Sequence, residues 1–398
     1  MRQIHIAGTC DTKGEEIAYL RDLIVAAGHQ ALIIDLGTRQ PTIRPDIAAD
    51  VIAAQHPDGP DAVLAGADRG AAVSNMGQAF ALWCEAKADG IAGIIAVGGG
   101  GGTSIACAGM RMLPYGVPKL MVSTLASGDT APYIGISDIV MVPSVTDIAG
   151  LNRLSRRILS NAAHALVGAV SAPAPAATDD LPAIGLTMFG VTTPCVTGIA
   201  DRLRGSHDCL VFHATGTGGR AMEKLLGQGV LSGLIDITTT EIADLLFGGV
   251  LPALSDRLDV VARTGAPWVG SVGALDMINF WAPDTVPDRY RDRLFYHHNP
   301  NVTLMRTTPE ENTIMGRWIG EKLNACKGPV RLLLPEKGLS ALDVEGGAFW
   351  APDADAALFT ALRDTISDPA RLVLLPYHIN EPAFAEAVTD IFLSLMRP

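Results

Sequence analysis

The sequence lacks most of the signatures by which a protein announces its chemistry. Its six cysteines (Cys10, Cys84, Cys107, Cys195, Cys209, Cys326) form no C-x-x-C pair. This argues against a disulfide scaffold and points to free thiols in a reducing compartment. There is no H-E-x-x-H spacing, no G-x-S-x-G elbow and no Gly-Lys-Ser/Thr after a glycine loop. Those absences count against a zinc hydrolase, an ordinary α/β-hydrolase and a Walker A NTPase. Positive charge is scarce, 30 Lys and Arg against 42 Asp and Glu, for a net charge of −12. The one basic cluster, Arg153, Arg156 and Arg157, reads as a solvated helix face, so no nucleic-acid partner is expected. No strongly apolar run reaches ~18 residues and no charged-then-apolar leader opens the chain, so no membrane association and a cytoplasmic location are expected.

What is present begins with size and hydrophobicity. A chain of 398 residues, 48% hydrophobic, can fill two to three cores. Apolar strands at Gln3–Ala7, Ala31–Leu36, Ile91–Val97, Pro118–Val122 and Ile139–Val142 alternate with helices near Glu15–Ala27, Ala71–Ala88, Thr103–Leu113 and Asp147–Val167. The stretch 171–180, with two prolines and no large apolar side chain, reads as a linker. After it the pattern restarts. Strands are expected at Ala183–Met188, Cys209–His213, Leu234–Ile237, Trp268–Ser271, Val302–Met305, Val330–Leu334 and Leu372–Leu375, with a final helix at Pro382–Met396. The alternation predicts an α/β protein of two Rossmann-like, doubly wound parallel-sheet domains, 1–170 and 181–398, with a cleft between them.

The focal stretch is Ile91–Ala108, where a buried strand runs into five glycines and then a helix. Gly98, Gly99, Gly100, Gly101, Gly102 and Thr103 would offer bare amides and a helix N-terminus to an anion. A plain turn needs only one or two glycines. Two more loops are expected at the same sheet edge. Asp11, Thr12 and Lys13 form one, and Ser127, Gly128 and Asp129 the other. One ammonium, several hydroxyls and two carboxylates suit a nucleotide polyphosphate, with Mg²⁺ held by Asp11 or Asp129. Asp35, at the end of the second strand, reads as a ribose ligand or a loop carboxylate. In the second half, Thr215, Gly216, Gly218, Gly219 and Arg220 read as a loop for a small anionic substrate. Polar residues at strand ends there (His213, Glu241, Asp276, Asn279, His298, Lys337, Asp343) suggest general acid–base work. His298 is the first choice for the base, with Glu241 orienting it and His213 and Lys337 nearby. His297 and His298 are adjacent and face opposite ways in a strand.

At these motifs the chain resembles the ATP-binding N-terminal domain of the plant tobamovirus-resistance protein and its uncharacterised bacterial and fungal relatives. The resemblance rests on Gly8-Thr-Cys-Asp-Thr-Lys-Gly-Glu15, the Gly98–Thr103 run, Ser123-Thr-Leu-Ala-Ser-Gly-Asp129, Asp236-Ile-Thr-Thr-Thr-Glu241 and His298-Asn-Pro-Asn-Val-Thr303. It implies two Rossmann-like domains, ATP with Mg²⁺ on the first, and homodimers or higher homo-oligomers. It carries no reaction with it. The leading expectation is an ATP-binding enzyme acting on a small anionic molecule between its domains. The alternatives are a hydrolase or lyase of an oxo-acid that turns over no ATP, and a nucleotide-dependent binding module. A dehydrogenase is weaker, because the first loop lacks G-x-G-x-x-G.

Overall fold

A computed structural model describes residues 2–65, 68–173 and 181–396. The chain divides into two compact units at residues 176 and 177. Most of the stretch read as a linker, residues 174–180, lies outside the described residues; Ser171 ends a helix instead.

The N-terminal unit runs β1 (Gln3–Gly8), α1 (Gly14–Ala26), β2 (Ala31–Asp35), α2 (Ala49–Ala53), α3 (Asp61–Leu64), α4 (Arg69–Lys87), β3 (Ile91–Gly98), α5 (Gly100–Met110), β4 (Lys119–Ser123), α6 (Ala131–Ile134), β5 (Val140–Pro143) and α7 (Arg153–Ser171). Its five strands are parallel in the order β2-β1-β3-β4-β5. Both faces of its central strands are buried, as in a doubly wound sheet. Ile4, Ile6, Ile95 and Val97 pack with α1 and α7, through Ile17, Leu20, Leu159 and Leu166. Ala7, Ile94 and Ala96 pack with α4 and α5, through Phe80, Trp83, Ile105 and Met110. The period-2 alternation along each strand divides these two sets.

Helix α7 starts at Arg153, not at Asp147. Asn152 takes the N-cap, its Oδ1 accepting from the amides of Leu154 and Ser155, while the Ser155 hydroxyl accepts from the Asn152 amide. The residues before it are kept out of the helix by Val145, with φ at +63°, and by the Gly150 amide donating to Glu16 Oε1 at 2.7 Å.

The C-terminal unit runs β6 (Ala183–Met188), α8 (Thr193–Leu203), β7 (Asp208–His213), α9 (Thr217–Gly227), β8 (Gly233–Thr238), α10 (Thr240–Phe247), α11 (Asp259–Thr264), β9 (Trp268–Gly273), β10 (Met277–Phe280), β11 (Phe295–Asn299), β12 (Val302–Arg306), α12 (Pro309–Ala325), β13 (Val330–Pro335), α13 (Pro352–Thr365), β14 (Leu372–Leu375) and α14 (Pro382–Leu395). Six parallel strands lie in the order β14-β13-β9-β8-β6-β7. Counted within the unit, its first four strands repeat the 2-1-3-4 arrangement of the N-terminal unit. Between β9 and β13 an antiparallel sheet, β10-β12-β11, is inserted. The sequence reading placed Val302–Met305 among the strands without separating this second sheet, and it missed β10, β11, α10 and α11.

Arg306 fastens the inserted sheet. It is buried, and donates from Nη2 to Asp355 Oδ1 at 2.8 Å, from Nε to the Phe349 carbonyl at 2.8 Å and from Nη1 to Thr307 Oγ1 at 2.9 Å. Asp343 lies 3.6 Å from the same guanidinium. Asp276 accepts from Ser340 Oγ at 2.8 Å through Oδ2, and both Asp276 and Asp343 leave Oδ1 buried without a hydrogen-bond partner. Burial, reinforced by the Asp343 charge, holds Asp276 and Asp355 well above the ordinary carboxylate range. Burial likewise pushes Asp244, on α10, up to about 7 from 3.8. Such groups keep a proton in the folded chain that the unfolded chain has lost. Their contribution is therefore full below about pH 4 and lost as pH rises through the folded values. Denaturant unfolding of the C-terminal unit is accordingly expected at lower denaturant concentration at pH 8.5 than at pH 5.5. Asp276→Asn, which needs no proton, should flatten that dependence; an unchanged pH profile in this variant would refute the assignment.

Candidate functional site

The strand order of the N-terminal unit reverses between β1 and β3, and ligands of doubly wound sheets bind outside the carboxyl ends of such strands. A cleft of about 540 Å³ opens there. Thr9, Asp11, Thr12 and Lys13 after β1 line it, with Gly37 to Arg39 after β2, Arg69, Ala72 and Val73 at the head of α4, and Gly99 to Gly102 after β3. The structure thus brings together two of the three loops chosen from sequence. The third packs beside the glycine run through Thr124 and Leu125, but Ser127, Gly128 and Asp129 do not line the cleft, and Asp129 Oδ1 accepts from the Ala131 amide at 3.0 Å, inside its own turn. Gly98 and Thr103 lie behind the cleft. Thr103 is buried, its hydroxyl 2.7 Å from that of Ser123.

Helix α5 begins with Gly99 at its N-cap and no side chain capping it. Its first amides therefore lack intrahelical partners and face the cleft. A Cβ built on Gly98 would stand 3.0 Å from the Gly102 Cα, so the turn itself demands glycine at that position. The next four differ. Cβ atoms on Gly99, Gly100, Gly101 and Gly102 would meet nothing closer than 3.7, 3.6, 3.4 and 3.9 Å, and none of these residues has a positive φ. The fold does not require them to be glycine. What they leave open is the space directly above the amides.

Charge is arranged around that space. Lys13 lines the cleft, with its ammonium donating to the Ile148 carbonyl. Arg39 and Arg69 line it too, exposed and without an ion-pair or hydrogen-bond partner among the described residues. Sequence reasoning missed both arginines. In sequence neither differs from an ordinary solvated arginine. Asp11 is the one carboxylate in the lining, and its Oδ1 is buried without a partner. Asp35 is not free for a ribose: it is buried, and Oδ1 accepts the amides of Cys10 at 3.0 Å and Gly37 at 2.8 Å. It ties the β1 and β2 loops together.

In the C-terminal unit Glu241, chosen from sequence to orient His298, is engaged elsewhere. Glu241 is fully buried. Its Oε1 accepts the amides of Gly216 at 2.6 Å and Gly219 at 3.1 Å, and its Oε2 lies 3.3 Å from Arg257 Nε. Those partners occupy the carboxylate, so it does not orient His298. Arg257 is buried as well. It donates to both oxygens of Asp236 at 2.8 Å and to Glu223 Oε1 at 2.8 Å. Asp236 also accepts from Thr187 Oγ1 at 2.7 Å and Trp268 Nε1 at 3.3 Å. The Asp236–Glu241 motif is thus a core fastening. His298 and His297 are exposed on the bulged strand β11. His213 is exposed, stacked on Phe189 with ring centroids 5.3 Å apart. Lys337 is 61% exposed, 4.0 Å from Glu381. Arg220 and Thr215 lie at the head of α9, where the glycines are spoken for internally.

The whole described chain matches one family. Residues 2–175 fit the N-terminal domain of the uncharacterised protein family UPF0261, and residues 181–396 fit its C-terminal domain. The chain belongs to the UPF0261 family. A UPF0261 protein of Rhizobium meliloti is 62% identical over the full length of both chains, and one of Clostridium tetani is 46% identical over 99% of each. The ToMV resistance protein Tm-1 of Solanum lycopersicum is 39% identical, across 99% of this chain and 56% of its own. Among the described residues of this UPF0261 protein, no helix is long and apolar enough to cross a membrane, and no group of three or more His, Cys, Asp or Glu is placed to hold a metal by itself.

The two glycine loops are expected to respond oppositely to alanine. Gly102→Ala should leave the ligand-free protein as stable or more stable by roughly 0.5–1 kcal/mol, the usual gain of alanine over glycine in a helix. Gly219→Ala puts a methyl 2.1 Å from Glu241 Oε2 and should cost several times that. Denaturant midpoints of the two variants check this, and equal destabilisation would contradict it.

Proposed function

We propose that the N-terminal unit binds ATP with Mg²⁺ in the cleft between the ends of β1 and β3. The observation that carries this is the run Gly99–Gly102, glycine at positions where the fold would accept a side chain, beneath an uncapped helix N-terminus. A phosphate fits that description, because backbone amides bind it only if nothing stands between. Charge agrees. Lys13, Arg39 and Arg69 supply three positive charges and Asp11 one negative, a lining of +2. Magnesium-bound ATP carries about −2 at neutral pH, since its terminal phosphate is largely ionised. The volume lies within the ~300–1,000 Å³ of small-molecule sites. Leu36, Val63, Leu64, Val73 and Ile105 give the same cleft an apolar wall on which a base can lie.

Asp11 is the residue that would hold the Mg²⁺. Its orphaned Oδ1 is an available oxygen ligand, and Mg²⁺ commonly takes one or two carboxylates and completes its shell with phosphate and water. Asp129, engaged within its own turn, fits less well. The ion would neutralise phosphate charge. The protein's own contribution is positioning: amides and three cations fix a polyphosphate, which is most of what phosphoryl transfer asks of a protein.

A thermal-shift titration with ATP, ADP, AMP and NAD, each with and without Mg²⁺, tests the reading. At 100 times Kd, ATP with Mg²⁺ should stabilise by about 2.7 kcal/mol, a rise of roughly 5–10 °C in the N-terminal transition. Gly100→Asp should abolish the shift while folding normally, because an acidic residue in a helix's first turn is otherwise favourable. Arg69→Ala should weaken ATP about tenfold and leave AMP nearly unaffected. No shift with any nucleotide would overturn the proposal.

A further inference from the structure

Both units carry a glycine loop ahead of a helix, but the loops follow different strands. In the N-terminal unit the loop follows β3, third in its sheet by sequence. In the C-terminal unit it follows β7, which is second. The strand that matches β3 in order is β8, and the helix after it, α10, carries Glu241 in its first turn. From there Glu241 reaches the neighbouring helix α9 and lays a carboxylate on the amides of Gly216 and Gly219. The surrounding glycines are all explained by that internal packing. Gly216 has φ of +78°, a Cβ on Gly218 would stand 1.8 Å from the His213 carbonyl oxygen, and one on Gly219 would strike Glu241 itself. Beyond the carboxylate sits Arg257, a buried cation of the kind that commonly backs a bound anion.

We propose that the α9 loop is an anion cradle filled by the protein's own Glu241. It takes no external anion while that side chain is present, and accepts a small free carboxylate once the side chain is cut back. The charge count supports the exclusion. Arg257 already faces three carboxylates, from Glu223, Asp236 and Glu241, so a phosphate arriving beside them would meet net repulsion. The geometry supports the vacancy. Glu241→Ala removes a CH₂–COO⁻ group and leaves two amides and a guanidinium aimed at an acetate-sized space that admits a formate ion.

Chemical rescue of the full-length chain decides the matter. Glu241→Ala should lower the C-terminal transition by roughly 10 °C, the effect of removing one partner from a buried ion cluster. Sodium formate should restore about half of that loss with a saturable dose response. Sodium chloride at equal ionic strength should not. Glu241→Gln keeps the bulk and leaves no room, so formate should not rescue it, and the wild type should not respond. Rescue by chloride equal to that by formate, or a wild-type response as large as the variant's, would overturn the proposal. If Glu241→Ala does not fold, refolding yield becomes the readout, and failure in formate as complete as in chloride counts against the cradle. Nucleotide stoichiometry by native mass spectrometry gives a separate check on the closed loop. Wild type should take one MgATP and Gly100→Asp none, whereas nucleotide retained at the α9 loop in Gly100→Asp would show that Glu241 does not close it. The rescue arm involves no nucleotide, so it stands or falls apart from the ATP reading.

Discussion

Helix N-termini at the carboxyl edge of a parallel sheet carry backbone donors with no partner inside the helix, and a buried donor left unmet is expensive. The two units satisfy this demand in opposite ways. In the C-terminal unit the answer is internal: Glu241 meets the α9 amides, Arg257 meets Glu241, and Asp236 and Glu223 meet Arg257. In the N-terminal unit the α5 amides open onto a cleft with Lys13, Arg39 and Arg69 around it. One helix end is closed by the chain and the other is left to solvent or to a ligand.

The closed arrangement exacts a structural commitment. Burying Arg257 with three carboxylates is tolerable because those carboxylates accept further hydrogen bonds of their own. Asp236 accepts from a hydroxyl, an indole and a guanidinium, and Glu223 accepts the Leu258 amide at 2.7 Å. Such a cluster contributes less net stability than its contacts suggest, because desolvation consumes much of the attraction. Its stronger effect is on geometry. Arg257 joins β8, α9 and α10 at one point, and the Arg306 cluster does the same for β12, α13 and the loop after β13.

Much of the fold was legible in the sequence, and the reason is periodicity. Ile4, Ile6, Ile95 and Val97 alternate with Ala7, Ile94 and Ala96, and strands apolar on both sides imply a sheet covered on both faces. The inserted sheet was harder to see. Strand β11 reads Phe-Tyr-His-His-Asn, mostly exposed and interrupted by a bulge, so it carries no apolar run to find. For the site, Asp11, Lys13 and the glycine run were visible because loop glycines and charge stand out. Arg39 and Arg69 were not, because an arginine in a polar loop looks like any solvated arginine until tertiary structure places it. Glu241 was visible and misread. A glutamate after Thr-Thr-Thr at a strand end has the look of chemistry, and only its depth shows that its oxygens are already engaged.

The unforced glycines also bear on how the protein persists in a cell. Three of them, Gly100, Gly101 and Gly102, lie in the first turn of α5, where alanine would be more favourable by roughly 1.5–3 kcal/mol in all. A unit carrying that penalty opens more often when empty than when something rests on its amides. Were a ligand to rest there, lifetime against proteolysis would depend on how much of it the cell holds, since degradation of a transiently opened state follows its population. The glycine run would then make the abundance of the protein a readout of its ligand.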